Sequence, residues 1–452
     1  MKKLSGIKHI YFVGIGGVSM SGLAEIAGSY GYAVSGSDRD ESVTVAGLRK
    51  KGVTVFLGHH GENITKDIDL VVYTAAIPAD NPELLGAKTL GIKTMERAEF
   101  LGILMEAYQQ PICVAGTHGK TTTSSMIADT LVNLGTNPTV SVGGFLSSIG
   151  GNFQLGTDKY FVIESCEYKN SFLKFNPFVG IVLNIDHDHT DFYENLEQLE
   201  ESFKKFVGNI HKDGVLIINK DIVMENVHCD VITFSVKDAT ADFFATDVKE
   251  VNGGTSFTLN YKEGRIENAF VTLPGSHNLE NALANFATIH ALGLDLKEAV
   301  EVFKSFKSPN RRFQLKGKYN GATIIDDYAH HPTEIKQTLQ ALRKAYEGKI
   351  YCVFQPHTYS RTFSFLDDFA DSFGEVDMVI LLDIYSAREI DTGIVSTRDL
   401  ESKIVSKGKE TKYFPSFDEV QKFIAQNIKE NDLLITMGAG DVYLIGDNLL
   451  KG

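Results

Sequence analysis

Ten short aliphatic or β-branched runs alternate with amphipathic helical patterns along the chain, and that alternation confines it to α/β architectures built on largely parallel sheets. HIYFVGI (9–15), DLVVYT (69–74), PICVAG (111–116), YFVIES (160–165) and FVGIVLNI (178–185) predict buried strands, as do GVLIIN (214–219), ATIIDDY (322–328), IYCVFQP (350–356), DMVILLD (377–383) and DLLITMG (432–438). The stretch 230–275 departs from this rhythm. Its VITFSV, TSFTLNY and AFVTLP runs, with Gly-Gly and Glu-Gly between them, predict an antiparallel patch. At roughly 150 residues per domain, 452 residues imply about three domains. Breaks before Pro111 and around Pro309 place them at 1–107, 108–310 and 311–452.

Lys plus Arg number 44 against 58 Asp plus Glu, a net charge of −14. That balance excludes a general nucleic-acid or membrane-surface binder. Any anionic ligand must be held by local basic groups and backbone N–H. Cys113, Cys166, Cys229 and Cys352 are scattered, without a C-x-x-C pair or metal-ligand spacing, as expected of free thiols in a reducing compartment. The basic start MKKLSGIKHIYFVGIGG is broken by glycines and reads as a first strand rather than a signal peptide. No uninterrupted apolar run approaches spanning length. A soluble cytoplasmic protein is expected.

Two glycine loops follow strands. In the first, Gly14-Ile15-Gly16-Gly17-Val18-Ser19 opens a helical segment, and a second strand ends at Ser37-Asp38, 22 residues after Gly16. This is the spacing of a dinucleotide fingerprint, with Ser19 where a third glycine is usual. A phosphate-bearing ligand and a tight strand–helix turn that binds nothing both fit it. The second loop, Gly116-Thr117-His118-Gly119-Lys120-Thr121-Thr122-Thr123, lies between a strand and a helix. Its glycines, lysine and hydroxyls are the parts of a P-loop, in which backbone N–H groups cradle phosphates, lysine neutralises them and a hydroxyl meets Mg²⁺.

Downstream groups fall at strand ends, where open α/β sheets bind ligands. Glu164 closes one strand, and Asp186-His187-Asp188-His189-Thr-Asp191 follows the next. With the hydroxyl of Thr121, Glu164 and His189 are candidate ligands for Mg²⁺ or Mn²⁺. Asn278 and Asn281 open a helix, where capping is the simpler reading and contact with a purine edge the other. Arg311 and Arg312 precede Asp326-Asp327-Tyr328-Ala-His330-His331-Pro332, and Gln355-Pro-His357-Thr-Tyr359-Ser-Arg361 ends the next strand. Arginine and histidine there suit a carboxylate clamp and charge neutralisation on a transferring phosphoryl or acyl group.

GIGGVSMSGLA, GTHGKTTT, NIDHDHTDF, SHNLENALA, SPNRRF, DDYAHHPTE, QPHTYSRT and MGAGDVY, in that order over the whole chain, resemble the Mur ligase family, nearest to its alanine-adding branch. The resemblance implies a Rossmann-like N-terminal domain for a UDP-sugar, a central P-loop ATPase-like domain and a Rossmann-like C-terminal domain for the amino acid. It implies ATP, a divalent cation, UDP-N-acetylmuramate and L-alanine as the reacting set. Residue by residue, Gly14 to Ser19, with Ser37 and Asp38, would meet the UDP-sugar. Gly116 to Thr122, Asn278, Asn281, Arg312 and Asp327 would hold ATP. Thr121, Glu164 and His189 would hold the cation, and Tyr328, His330, His357 and Arg361 would surround the amino acid. Lys120, His189, Arg312, His330 and His357 would be catalytic, with one of the last two histidines taking the ammonium proton. One segment departs from the family pattern, since Cys166 and Lys169 stand where acids are usual. A tripeptide-adding ligase of the same family, a nicotinamide-dependent dehydrogenase built on the Gly14 loop, and a non-catalytic nucleotide-sugar sensor are the rivals. Monomer and homodimer both remain open.

Overall fold

The computed structural model describes residues 4–74, 76–251, 254–387 and 389–451. The first residues of the basic start and Gly253 of the Gly-Gly turn lie outside them. Three sheets succeed one another. The first is wholly parallel, in the order β3-β2-β1-β4-β5, with β1 His9–Val13, β2 Ala33–Asp38, β3 Thr54–Leu57, β4 Leu70–Tyr73 and β5 Lys93–Glu96. Its order reverses beside β1, so the crevice beyond the carboxyl ends of β1 and β4 is the natural ligand position. The Gly14 loop leaves β1 there.

The second sheet has ten strands: β6 Gln110–Ala115, β7 Thr139–Leu146, β8 Gly151–Gln154, β9 Tyr160–Glu164, β10 Val179–Val182, β11 Val215–Asn219, β12 Asp230–Ser235, β13 Phe243–Val251, β14 Gly254–Tyr261 and β15 Gly264–Val271. They run in the order β15-β14-β13-β12-β11-β10-β6-β9-β7-β8. The expected antiparallel patch is confined to β13–β15. VITFSV does not belong to it, because β12 pairs in parallel with both β11 and β13 and extends the main sheet. β6 lies between β9 and β10, which brings three strand ends, those before Gly116, at Glu164 and before Asn184, side by side.

The third sheet comprises β16 Gln314–Tyr319, β17 Ala322–Asp327, β18 Ile350–Phe354, β19 Met378–Leu381, β20 Thr411–Tyr413 and β21 Leu433–Met437, ordered β16-β17-β21-β18-β19-β20. Only the β16–β17 pair is antiparallel. Most of these strands are buried along their length, consistent with helices covering both faces. One apolar core runs on from the first domain, through Phe12 and Phe100, to Phe161, Phe172 and Phe203 of the second. The helix Arg97–Met105 is pressed onto that junction. A Cβ on Gly102 would lie 2.1 Å from the Lys174 carbonyl oxygen, so only glycine allows the approach.

Candidate functional site

β6 runs into Gly116 (φ +145°) and Gly119 (φ +82°), and Lys120 begins the helix Lys120–Asn133. The loop is held from below by Asn184. Its Oδ1 accepts from the His118 N–H at 2.8 Å, and its amide donates to the His118 carbonyl at 3.0 Å. The Lys120 ammonium donates to the carbonyls of Gly116 (2.6 Å) and Thr117 (2.9 Å) and to Glu167 (2.9 Å). Burial alone would push this ammonium down, but the Glu167 carboxylate outweighs it and Lys120 stays charged. The Thr121 hydroxyl donates to Glu164 Oε2 (2.9 Å), which also accepts from the Gly143 N–H (3.0 Å). Thr121 and Glu164 thus form the hard-oxygen pair expected of a Mg²⁺ position.

His189 is not part of that pair. Its Nε2 lies 3.3 Å from Glu167, the partner of Lys120. Burial lowers its basicity, while Cys166, Glu167 and Asp188 raise it further, to about 10. These neighbours favour the protonated ring, and ligating a cation requires loss of that proton. Asn278 and Asn281 are both buried at the wall of the P-loop. Neither caps a helix end, because Gly275 is the N-cap and Asn278 donates to the Pro274 carbonyl at 2.8 Å. Asn281 abuts Gly119, where a Cβ would meet its Oδ1 at 2.7 Å.

The C-terminal domain closes the other side. Arg312 Nη2 donates to Thr121 Oγ1 at 3.2 Å, and its guanidinium lies over the Tyr328 ring at 4.8 Å. The His118 ring sits between Asp186 (2.9 Å) and Glu334 (3.2 Å), and Thr333 donates to the same Asp186 oxygen at 2.7 Å. Burial would lower His118, yet the two carboxylates raise it to about 9. Asp327 accepts from the N–H groups of Ala329 (2.7 Å) and Phe313 (3.0 Å). Burial lifts its pKa to about 7, with Arg312 opposing. Between these walls lies a cleft in whose lining Phe234, Leu273 and Phe313 join Asn278 and Asn281, the mixture of apolar surface and a few polar groups that suits a purine base. Sequence reasoning passed over those three apolar residues, since nothing in a strand pattern distinguishes a cleft wall from a core.

A second cleft, lined by Tyr168, Asp188, His189, His357 and Arg361, contains two of the four expected amino-acid residues; His330 packs against the His357 ring at 5.6 Å, while Tyr328 faces Thr121, Glu164 and Arg312 in a separate cleft. Arg361 does not present a free fork. It grips Asp188 with Nε (3.0 Å) and Nη2 (3.2 Å), and Nη1 donates to His357 Nδ1 at 2.9 Å. That bond fixes the His357 proton on Nε2. His330 is lowered to about 3, chiefly by burial. His330 is therefore a weak base in this arrangement, and the Nδ1 lone pair of His357 is engaged by Arg361. Ser37 and Asp38 are also occupied: Ser37 donates to the buried Glu83 at 2.6 Å, and Asp38 accepts from the Gly16 N–H at 2.8 Å. Among the described residues all four cysteines are free thiols.

A strand–loop–helix phosphate cradle met by an arginine from a separate α/β domain defines a multidomain nucleotide-dependent enzyme with its site between domains. Family models for the Mur ligase family catalytic domain, the Mur ligase middle domain and the Mur ligase glutamate ligase domain match residues 9–109, 114–289 and 311–440. The chain belongs to the Mur ligase family. UDP-N-acetylmuramate–L-alanine ligases of Clostridium novyi (46% identity, 98% of this chain and 97% of that one) and Agathobacter rectalis (47%, 98% of each) are among its relatives. The crystal structure of a UDP-N-acetylmuramate–alanine ligase from Thermotoga maritima superposes with a TM-score of 0.81 at 30% identity, covering 98% of both chains. A murein peptide ligase from Psychrobacter arcticus, at 24% identity and a TM-score of 0.69, shares the fold.

Proposed function

We propose that this chain joins L-alanine to the lactyl carboxylate of UDP-N-acetylmuramate at the expense of ATP, in assembly of the peptidoglycan precursor. The observation that carries the reading is identity of 46–47% over 98% of the chain to ligases of that name, so that the likeness extends through all three domains and not the P-loop alone. No described helix is long and apolar enough to cross a membrane, which is compatible with reaction in the cytoplasm on soluble nucleotides. The Gly14 loop gives no reason to retain a dehydrogenase, because such an enzyme leaves Gly116 to Thr121 unexplained.

The chemistry is carboxylate activation. The carboxylate attacks the γ-phosphorus, ADP leaves, and an acyl phosphate forms; the amine of alanine then displaces phosphate to give the amide. Lys120 and the loop N–H groups hold the phosphates in line, and Arg312 brings charge to them from the opposite wall. Thr121 and Glu164 suit Mg²⁺, which when bound neutralises charge on the β- and γ-oxygens. The ATP base occupies the cleft beside Asn278 and Asn281. Because the Arg361 fork is engaged by Asp188, its part is to fix His357 and the cleft wall against which alanine docks.

The test is incubation with UDP-N-acetylmuramate, ATP and Mg²⁺, offering L-alanine, glycine, L-serine or the tripeptide L-Ala-D-Glu-meso-diaminopimelate separately. Phosphate release and product mass are followed. Product with L-alanine preferred is expected; turnover with the tripeptide alone would move the chain to the tripeptide-adding branch.

A further inference from the structure

The Gly14 loop has almost no free backbone donors. Gly14 and Ile15 both donate to the Ser37 carbonyl (2.8 Å each), Gly16 to Asp38, and Gly17 back to Gly14 (3.1 Å). The donors that remain are those of the first turn of the helix Val18–Ser29, whose N-cap Gly17 supplies no side chain. Beside this turn stands Arg97, from the helix that follows β5. Its Nη1 donates to Ser19 Oγ at 3.0 Å. Among the described residues it makes no ion pair. It occupies the first position of its own helix, where the helix dipole disfavours a cation. Burial lowers its basicity, with Cys166 across the domain junction and Glu96 acting the other way. A partly buried guanidinium at two positive helix ends, with Glu96 acting on it but no carboxylate within ion-pair distance among the described residues, is suited to bind an anion.

We infer that Arg97 clamps the diphosphate of the nucleotide sugar, supplying, together with the first-turn N–H groups of Val18 and Ser19, the charge that the glycine loop cannot. This rests on the proposed UDP-sugar substrate and adds a residue to it. The clamp is rigid, since the Gly102 contact with the Lys174 backbone fixes the helix that carries Arg97. It also stands at the junction with Cys166, so a diphosphate held there directs the rest of the sugar toward the second domain.

The test measures binding of UDP and of UDP-N-acetylmuramate by calorimetry to the wild-type chain, Arg97→Ala and Arg97→Gln, with the thermal midpoint of each. The glutamine variant keeps a hydrogen bond to Ser19 and drops the charge, and serves if alanine impairs folding. Affinity for both ligands falling about tenfold to a hundredfold, with ATP affinity unchanged, is expected for loss of a charge-assisted clamp. Unchanged UDP affinity in a folded variant overturns the assignment, and a loss confined to UDP-N-acetylmuramate overturns it in favour of the lactyl carboxylate. Failure of the wild-type chain to bind either ligand would instead overturn the UDP-sugar reading on which the clamp rests.

Discussion

Asp188 and Arg361 are 173 residues apart in the chain and join the second domain to the third through two hydrogen bonds of 3.0 and 3.2 Å. Each side chain is 9% exposed. Burial would raise the Asp188 carboxyl, but Arg361 and the neighbouring histidines hold it well below the usual carboxylate range. Asp188→Ala leaves the buried Arg361 guanidinium without its carboxylate partner. Removing one partner of a buried pair costs about 3–5 kcal/mol, whereas replacing both with apolar groups is often close to neutral. At roughly 2–4 °C per kcal/mol for a unit of this size, the unfolding transition that includes the third domain falls by about 6 °C or more. Arg361→Met alone incurs a comparable loss, and the double variant regains at least half of it. Thermal unfolding of the four proteins in one buffer measures the cycle. Additive losses, or a single variant with an unchanged midpoint, would refute the idea that this pair ties the domains.

His118 carries a pH dependence of definite sign. Its pKa is raised from 6.5 to about 9, so the stability it confers is complete below about pH 6.5 and lost as pH rises through about 9. Midpoints of the wild-type chain and His118→Gln should differ most below neutrality and converge above about pH 9. Gly119→Ala places a Cβ 2.7 Å from Asn281 Oδ1 at a φ of +82°, a strain of roughly 1 kcal/mol or more; ATP affinity should fall at least about tenfold by calorimetry, while UDP affinity is retained.

The parallel sheets were legible because strands buried on both faces are written as continuous apolar runs, and the P-loop because strand, glycines, lysine and helix occur in register. β12 was misread because a short β-branched run looks the same on either side of a parallel pairing; only its partners decide. Asn278 and Asn281 looked like caps because amides at helix starts usually are, and the tertiary contact with Gly119 that occupies Asn281 leaves no local trace. Arg361 showed the same limit: a sequence names a guanidinium but not the carboxylate that claims it. Arg97 had no motif to mark it. Its meaning came from the loop donors turning out to be spent, a fact about hydrogen bonds that only coordinates supply.

The most direct test of the account follows oxygen. UDP-N-acetylmuramate labelled with ¹⁸O in both lactyl carboxylate oxygens is turned over with ATP, Mg²⁺ and L-alanine, and the released phosphate is analysed by mass. Activation through an acyl phosphate requires that each phosphate carry one labelled oxygen taken from the carboxylate. Phosphate bearing only solvent or ATP oxygen, with amide formed, would contradict it.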